Sequence, residues 1–278
     1  MKSIHIIAKT LPAAWEQAVV ECWQHGSEFR TEYDKPTEPS SRDVVATIHT
    51  LEPFAEPRVH RAFPGGLDDL EKYRAEILYG VHNHWVAPEA NKWEYTYHQR
   101  LFEYALPDGR VIDQIAAVVD KLRQVSFTRR AQAVTWKVWE DHQVYDPPCL
   151  QRLWFRVEND QLNMIAHMRS NDAYKAAFMN MYALTELQSE IAKQLDLQPG
   201  EYIHIADSFH IYGSYFEEFS AFLKTLQERS DKQRYFHSDF CREFFVEGIE
   251  QLLAEKDMPS DKRVLLQARL KELVEFSK

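Results

Sequence analysis

Two neighbouring strand patterns in the middle of the chain constrain its fold more than any other feature. Residues 151–157 and 162–168 alternate apolar and polar side chains, which is the pattern of strands with one buried face. Glu158-Asn159-Asp160 lies between them and has the composition of a turn, so the two segments are predicted to form a hairpin. Further strands are predicted at residues 43–49, 131–139 and 202–206.

Helices are predicted on both sides of these strands. Apolar periodicity, with proline and glycine near the ends, indicates helices at residues 12–24, 67–80, 111–124 and 182–195, and a mostly helical chain beyond residue 215. Because strands and helices are grouped and do not strictly alternate, an α+β fold is favoured over a parallel α/β sheet. With 278 residues, the chain is long enough for one large domain or for a main domain with small attached pieces.

Composition narrows the classes of partner. The net charge of -10 argues against a general affinity for nucleic acid, although a small phosphorylated ligand can still bind in a locally basic pocket. The chain starts without a signal-peptide pattern, and no apolar run approaches the ~20 residues of a membrane span. Cys22, Cys149 and Cys241 have neither disulfide nor zinc spacing. We therefore expect a cytoplasmic protein with reduced thiols, no membrane contact and no bound metal.

Cys149 is the candidate nucleophile. It follows Asp146-Pro147-Pro148 and directly precedes a predicted strand. Two prolines restrict the backbone before the thiol, and a rigid turn is a suitable support for a nucleophile. A lone cysteine is more often a small buried apolar residue, so the position gains weight only from the polar residues elsewhere in the chain.

Three polar clusters accompany this cysteine. Arg129 and Arg130 precede one predicted strand, and the block MRSND, residues 168–172, follows another. Guanidinium groups offer parallel, permanently charged donors that suit phosphate. His210 and Tyr212 alternate, so on an extended segment they point to the same side, as a grip on sugar hydroxyls requires. Taken alone, each cluster is explained more simply by surface ion pairs or a half-buried core edge.

Taken together, the motifs resemble the thymidylate synthase family. The resemblance covers roughly residues 97–219 and rests on five segments in family order: YHQRLFEYALPDGRVIDQI, TRRAQAVTW, DPPCLQ, MRSNDAYKAAFMNMYALTELQ and GEYIHIADSFHIY. The amino-acid sequences of these motifs resemble the archaeal-type and divergent branches of the family more than the common bacterial enzyme. The resemblance implies an α+β homodimer with a large twisted mixed sheet packed with helices. It also implies one domain over residues 1–278, with a divergent N-terminal part (1–70) and a divergent helical C-terminal part (230–278).

The resemblance implies a nucleophile and a nucleotide-binding set. Cys149 would be the thiolate that adds to carbon 6 of a pyrimidine nucleoside monophosphate, and nearby guanidinium charge favours the thiolate form. Arg169 and Ser170 would hold the phosphate, together with Arg129 and Arg130 from the partner subunit. Asn180 would bind the edge of the base, and His210 with Tyr212 would hold the ribose 3′-hydroxyl.

The resemblance also implies groups for the folate and for proton transfer. Asp172 would contact the pterin of 5,10-methylenetetrahydrofolate, the one-carbon co-substrate. Tyr97 would lie in the proton-handling network. Glu76, in YRAEILYG, is our candidate for the glutamate that assists removal of the carbon 5 proton, although a glutamate on a helix is more often simply solvated.

The sequence departs from the family pattern at several points. Leu150 follows the cysteine where the common enzyme has a histidine, and Ser208 stands where a carboxylate is common. The C-terminal portion has a helical pattern and lacks the family's usual closing tail. The N-terminal arginine that would bind phosphate is not identified, because Arg30, Lys35 and Arg42 all qualify.

The sequence therefore predicts methylation of dUMP to dTMP. A 5-hydroxymethylase acting on dUMP, dCMP or CMP is the close alternative, and Asn180 favours uracil because its amide complements O4 and N3–H. A non-catalytic nucleotide-binding homologue is the alternative of another class, and the retained Cys149 and Asp172 argue against it. A metal site at His82 and His84 is disfavoured, since no carboxylate or cysteine completes a ligand set in the sequence.

Overall fold

A mixed sheet lies at the centre of the structure, a computed structural model that describes residues 1–87, 90 and 93–275. Its strands are β1 (Ser3–Ala8), β2 (Ser27–Phe29), β3 (Ser41–Thr50), β7 (Gln132–Val134), β8 (Leu150–Glu158), β9 (Gln161–Met168), β10 (Asn171–Asp172) and β11 (Gln198–Ile211). The order along the sheet is β1-β3-β11-β9-β8-β7, with β2 paired to β3 and β10 to β11. The pairs β1–β3 and β9–β11 are parallel, whereas β3–β11, β8–β9 and β7–β8 are antiparallel.

Helices and short hairpins surround this sheet. The helices are α1 (Leu11–His25), α2 (Leu67–Tyr79), α3 (Tyr97–Phe102), α4 (Gln114–Gln124), α5 (Ala177–Gln194), α6 (Phe216–Glu228), α7 (Asp231–Arg234), α8 (Ser238–Ala254) and α9 (Ser260–Glu275). The remaining strands are β4 (Val59–His60), β5 (Tyr104–Ala105), β6 (Val111–Ile112) and β12 (Tyr235–Phe236). This is an α+β fold, as predicted. Within the described ranges, no helix combines the length and apolarity needed to cross a bilayer.

The inner face of the sheet packs against α1 and α5. Ile48 on β3 and Ala166 on β9 are completely buried on this side. Trp15 of α1 is also completely buried, and its indole Nε1 donates to the carbonyl of Ala173 at 2.8 Å. Burial of so large a ring stabilises the fold by a few kcal/mol, about 2–3 for a large apolar side chain.

The outer face of the sheet carries partly exposed apolar residues. Ile165 on β9 pairs with Ile203 on β11 and with Trp154 on β8, so these three side chains lie in one row. Ile205 on β11 and Val45 on β3 are also partly buried, and Ile205 lies two positions after Ile203 on the same face of the sheet. We call these five residues the outer row.

Most predicted elements are confirmed, and two need correction. The hairpin of residues 151–168 is present as β8 and β9. The helix predicted from residue 111 is wrong at its start, because Val111 and Ile112 pair with β5 and form a small hairpin. Asp113 then caps α4, its carboxylate accepting the Ala116 N–H at 2.8 Å, so the helix begins at Gln114.

The strand predicted at residues 131–139 ends at Val134. Asp141 is completely buried, and its carboxylate accepts the backbone N–H of Lys137 at 2.6 Å and a guanidinium N–H of Arg100 at 2.7 Å. These bonds turn the chain away from the sheet, which leaves Val138 exposed. The alternation of residues 136–139 therefore reflects a folded-back turn. Strand β1 and helix α3 were not predicted.

Gly80 ends α2 in a conformation that requires glycine. Its φ is +64°, in the left-handed region, and a Cβ there would clash with the ring of His98. Gly109, in the turn between β5 and β6, has φ +84° with no atom within 4 Å of a Cβ position. The two glycines thus share backbone strain but differ in packing.

We expect Gly80→Ala to destabilise the protein more than Gly109→Ala does. In both variants, an alanine in the left-handed backbone conformation lowers the free energy of unfolding by about 1–2 kcal/mol. The clash with His98 lowers it by about 1–3 kcal/mol more at Gly80 only. Urea unfolding of both variants and wild type measures the difference in free energy. Equal losses would show that His98 moves aside without cost.

Candidate active site

A cavity of about 770 Å³ is formed by segments that are far apart in the chain. Its walls come from the loop after β2, from α2, from the turn before β8, from the chain after β9 and from the end of β11. Nine of the eleven predicted site residues line it: Glu76, Tyr97, Cys149, Arg169, Ser170, Asp172, Asn180, His210 and Tyr212. The topology thus collects residues that the sequence identified separately.

The turn that carries Cys149 is held by Arg169. The guanidinium Nε and Nη2 donate to the carbonyls of Pro148 and Pro147 at 3.1 and 2.6 Å. The backbone N–H of Arg169 donates to the carbonyl of Cys149 at 2.8 Å. Because one residue binds three successive carbonyls, the thiol has a defined place at the start of β8. Its Sγ, partly buried, lies 3.4 Å from Oγ of Ser170.

Arg169 retains donors for a ligand. A guanidinium has five N–H groups. Three are used by Pro148, Pro147 and the hydroxyl of Ser170, which lies 3.2 Å from Nη1. One N–H therefore remains on each terminal nitrogen, and a pair of N–H donors of this kind suits a phosphate group.

Tyr97 supports the chain next to the nucleophile. Its hydroxyl oxygen accepts the backbone N–H of Leu150 at 3.2 Å. The ring of Tyr95 lies 5.4 Å from that of Tyr97, and both line the cavity. Burial raises the pKa of each phenol well above its usual value, so both stay protonated at neutral pH and act as hydrogen-bond donors.

The amide of Asn180 is oriented by Tyr73. The Tyr73 hydroxyl donates to Oδ1 of Asn180 at 2.6 Å, and burial raises the pKa of Tyr73 so that it keeps its proton. With Oδ1 already bonded, Nδ2 and its two hydrogens are left for a ligand in the cavity. The site therefore offers a donor at this point of the wall.

A chain of hydrogen bonds determines which nitrogen of His210 carries the proton. The hydroxyl of Ser208 donates to the carboxylate of Asp43, and its oxygen lies 3.2 Å from Nδ1 of His210. The carbonyl of Ser208 also lies 3.4 Å from Nδ1. Burial lowers the pKa of His210 to about 4, so the ring is neutral. Both neighbours of Nδ1 act as acceptors, so Nδ1 carries the hydrogen and Nε2 is left to accept one from a ligand.

Asp43 also explains one departure from the expected pattern. Ser208 stands where the resemblance implies a carboxylate, and in the structure Asp43 of β3 brings a carboxylate to that hydroxyl. The register of β3 on β11 places Asp43 opposite His210. A carboxylate is therefore present near His210, but it comes from another strand.

Asp172 lies in the cavity wall with one carboxylate oxygen satisfied by backbone. Its Oδ1 accepts the N–H groups of Tyr174 and Lys175 at 3.0 and 2.9 Å. Burial nevertheless raises its pKa to about 6, since desolvation disfavours the charged form more than these bonds favour it. The carboxyl group is thus poised to change charge close to neutral pH.

Arg129 and Arg130 lie outside the cavity. Both are exposed in the segment before β7, and neither forms an ion pair with the residues that the structure describes. The carbonyl of Arg129 accepts the indole N–H of Trp154 at 3.1 Å, so this segment adjoins the outer row. Within one chain, these two arginines do not join the other site residues.

The three basic candidates near the N-terminus also do not line the cavity. Arg30 donates to the carbonyls of Lys35 and Glu38 at 3.0 and 2.8 Å, which closes its own loop. Lys35 pairs with Glu38 at 3.4 Å. The guanidinium of Arg42 lies 4.8 Å from the ring centre of Trp23. Each group thus has a local partner in the fold.

Several aromatic residues of the wall were missed in the sequence. Tyr33, Tyr73, Trp93, Tyr95 and Tyr145 all line the cavity. Tyr73 was detectable in principle, because it precedes Glu76 by three positions and so shares its helix face. The others lie in irregular segments whose direction no periodic pattern reveals.

Comparisons with known proteins agree with this geometry. The thymidylate synthase family matches residues 65–240, which is more than half of the chain. The chain belongs to the thymidylate synthase family. It is similar to a Methanocaldococcus jannaschii protein named "Putative thymidylate synthase", with 32% identity over 208 residues, 73% of this chain and 88% of that relative. A thymidylate synthase of Cereibacter sphaeroides is 36% identical over 113 residues, 40% of this chain and 38% of the relative. Membership implies a one-carbon transferase acting on carbon 5 of a pyrimidine.

We expect the stability of this thymidylate synthase family member to reveal the raised pKa of Asp172. Between pH 4 and 6 the unfolded carboxyl is ionised while the folded one keeps its proton, so this group makes the protein less stable as pH rises. The slope is at most about 1.4 kcal/mol per pH unit. Urea unfolding of wild type and Asp172→Asn over pH 4–8 gives the difference curve, which should favour the variant increasingly up to pH 6 and then level off. Parallel curves would contradict the burial of this carboxylate.

Proposed function

We propose that the protein is a thymidylate synthase that transfers the one-carbon unit of 5,10-methylenetetrahydrofolate to carbon 5 of dUMP, giving dTMP. The observation that carries this proposal is the meeting of three groups in one cavity: Cys149, the spare guanidinium N–H groups of Arg169 and the oriented amide of Asn180. They match the ring carbon, the phosphate and the base edge of a single nucleotide. The volume of about 770 Å³ lies within the roughly 300–1,000 Å³ typical of small-molecule sites.

Nucleotide binding is assigned to the polar wall. Arg169 and Ser170 would hold the phosphate, with Arg129 and Arg130 reaching it from the partner subunit. Nε2 of His210 would accept a hydrogen bond from the ribose 3′-hydroxyl, and Tyr212 would bind the same hydroxyl. These assignments use donors and acceptors that the fold leaves available.

Asn180 favours uracil as the base. Its Nδ2 donates, and uracil presents the acceptor O4 at the position where cytosine presents a donor amine. Cytosine would therefore leave two donors facing each other. An unmet buried hydrogen bond costs about 1–3 kcal/mol, which is one to two powers of ten in selectivity.

The chemistry begins with Cys149. Its thiolate adds to carbon 6 of the base, which moves electron density to carbon 5 and O4 and makes carbon 5 nucleophilic. The donated amide hydrogens of Asn180 stabilise the negative O4. After carbon 5 has taken the one-carbon unit it loses its proton to the network that includes Glu76 and Tyr97. Loss of this proton gives an enolate whose electrons expel the folate nitrogen from the one-carbon unit, which leaves an exocyclic methylene on carbon 5. Hydride from the tetrahydrofolate then reduces this methylene to the methyl group while the thiolate is expelled from carbon 6, so the products are dTMP and dihydrofolate.

The pterin of the folate would bind in the same cavity. When bound, the folate supplies the one-carbon unit and the hydride. The carboxylate of Asp172 can accept from pterin N–H groups, and Trp93 offers an aromatic surface in the same wall. Of the groups that line the wall, these two suit the pterin best, and we assign them to hold it.

A homodimer is the form in which the site would be complete. The outer row is an apolar strip that a second copy would cover, and the exposed Arg129 and Arg130 adjoin it through Trp154. In a symmetric pair, each chain would lend its two arginines to the other chain's cavity. Cytosolic reductants keep free thiols such as Cys149 reduced, and we place the reaction in the cytoplasm on that ground.

Tritium release from 5-tritiated nucleotides tests the reaction. With methylenetetrahydrofolate, wild type should release tritium from dUMP at least about tenfold faster than from dCMP, from the hydrogen-bond mismatch above. The mass of the product should be that of dTMP, with dihydrofolate formed. Cys149→Ser should abolish release while still binding dUMP, whereas Cys241→Ala, buried in α8 away from the cavity, should remain active.

Each part of the proposal has its own contradicting outcome. Turnover by Cys149→Ser would refute the thiol mechanism. Faster release from dCMP would refute the base assignment. A predominant 5-hydroxymethyl product would identify a hydroxymethylase, in which water ends the reaction, while leaving the cysteine mechanism intact.

Hybrid dimers test the sharing of arginines. Cys149→Ser and Arg130→Ala each lack one part of the site, so each alone should have little activity. Mixing them after mild unfolding should restore up to about a quarter of wild-type activity, because hybrid dimers contain one site with both parts. Arg110→Ala, which changes an exposed arginine in the hairpin of β5 and β6, is the matched control and should be active alone. Full activity at the mass of a single chain would exclude a shared site.

A further inference from the structure

His82 lies between two carboxylates behind the cavity wall. It follows α2, is 8% exposed and precedes a short 3-10 helix, Asn83–Trp85. Its Nδ1 lies 3.2 Å from Oε2 of Glu76, and its Nε2 lies 3.6 Å from Oε1 of Glu255. Its ring stacks on Trp85 with centroids 3.8 Å apart and an interplanar angle of 10°. The plane and the edge of this imidazole are both constrained.

The contact between His82 and Glu76 assigns different roles to the two carboxylate oxygens. An ionised carboxylate only accepts, so Nδ1 of His82 carries the hydrogen that joins it to Oε2. Glu76 also lines the cavity, which leaves Oε1 as the oxygen available there. A long glutamate side chain on a helix has several rotamers, and a bond to a stacked ring selects one of them.

The C-terminal part of the chain supports the indole on which this imidazole stacks. Asp257 accepts the indole N–H of Trp85 at 3.1 Å, whereas Glu255, which follows α8, lies 3.6 Å from Nε2 and forms no hydrogen bond with it. Both acidic residues lie outside the family match of residues 65–240. The connection between α8 and α9 therefore holds the indole on which the ring of His82 stacks.

We propose that His82 is a positioning residue that fixes the catalytic orientation of Glu76, and that the indole of Trp85, bonded to Asp257, holds His82 in place. This proposal rests on the proposed function, because it assigns Glu76 to removal of the carbon 5 proton. His82 does not line the cavity and does not touch substrate. It acts by keeping one oxygen of Glu76 directed at the reacting carbon. The C-terminal part of the chain contributes to catalysis through the hydrogen bond between Asp257 and Trp85, because this indole supports the ring of His82.

Two substitutions of His82 separate the hydrogen bond from simple packing. His82→Phe keeps a ring that stacks on Trp85 but has no donor. His82→Asn has an amide nitrogen close to the former Nδ1 and can still donate to Glu76. The matched control is His25→Asn, because His25 is an exposed histidine at the end of α1 that lies 3.3 Å from Glu21 and does not line the cavity.

We expect His82→Phe to lower kcat for tritium release from dUMP about 10- to 100-fold, since a misplaced catalytic group costs about that much. KM for dUMP should change less than about threefold, because nucleotide contacts remain. His82→Asn should recover most of kcat, Asp257→Ala should give a smaller loss than His82→Phe, and His25→Asn should match wild type. Unchanged kcat in His82→Phe overturns the proposal, and so does an equal loss in His82→Asn.

A spectroscopic measurement keeps this inference separate from the proposed function. In protein with ¹⁵N-labelled histidine, the Nδ1 resonance of His82 should shift in Glu76→Gln and stay in place in Glu217→Gln, which changes an exposed glutamate in the first turn of α6. An unmoved resonance overturns the contact even in protein that does not turn over. Absence of tritium release in wild type, together with the expected shift, refutes the proposed reaction and with it the catalytic purpose assigned to His82.

Discussion

The hold of Arg169 on the turn before β8 is the interaction on which the site depends. Hairpin pairing brings the start of β8 beside the end of β9, with Leu150 opposite Met168, so the next residues on each side meet. Arg169 then binds the carbonyls of Pro147, Pro148 and Cys149. The prolines donate no backbone N–H of their own, and Pro147 is restricted in ψ because another proline follows it, which limits the direction of its carbonyl. One side chain therefore fixes the position of the thiol and places a positive charge beside it.

The sequence predicted best those site residues that lie in short motifs next to the end of a strand. The hairpin, the proline turn and the MRSND block could be predicted because periodicity and turn residues are short-range signals, and the structure brings them into one cavity. The partners of these residues were not predictable in the same way. Asp43 meets Ser208 across 165 positions, through a strand register that no local pattern encodes. Arg129 and Arg130 were also identified from the sequence, but in a single chain they lie outside the cavity that contains the other site residues.

The two wrong predictions of secondary structure, at residues 131–139 and 111–124, also arise from contacts that no local pattern encodes. Buried Asp141 turns the chain away after Val134 although the alternation continues, because two hydrogen bonds to a carboxylate outweigh the weak preference of a pattern. Asp113 caps α4 although apolar residues precede it. In both cases one aspartate decides the local structure, and its effect depends on which donors the fold brings to it.

The scattered origin of the cavity wall has a consequence for the amount of protein that a cell retains. Tyr33, Cys149 and Tyr212 come from segments that separate when the chain unfolds, so only the folded form offers the complete wall to a ligand. A nucleotide present at 100 times its dissociation constant would add about 2.7 kcal/mol to the free energy of unfolding. That is a substantial part of the ~5–15 kcal/mol typical of a domain, and proteases remove the unfolded fraction. Abundance of the protein would therefore rise with the supply of its own ligand, without any regulator of synthesis.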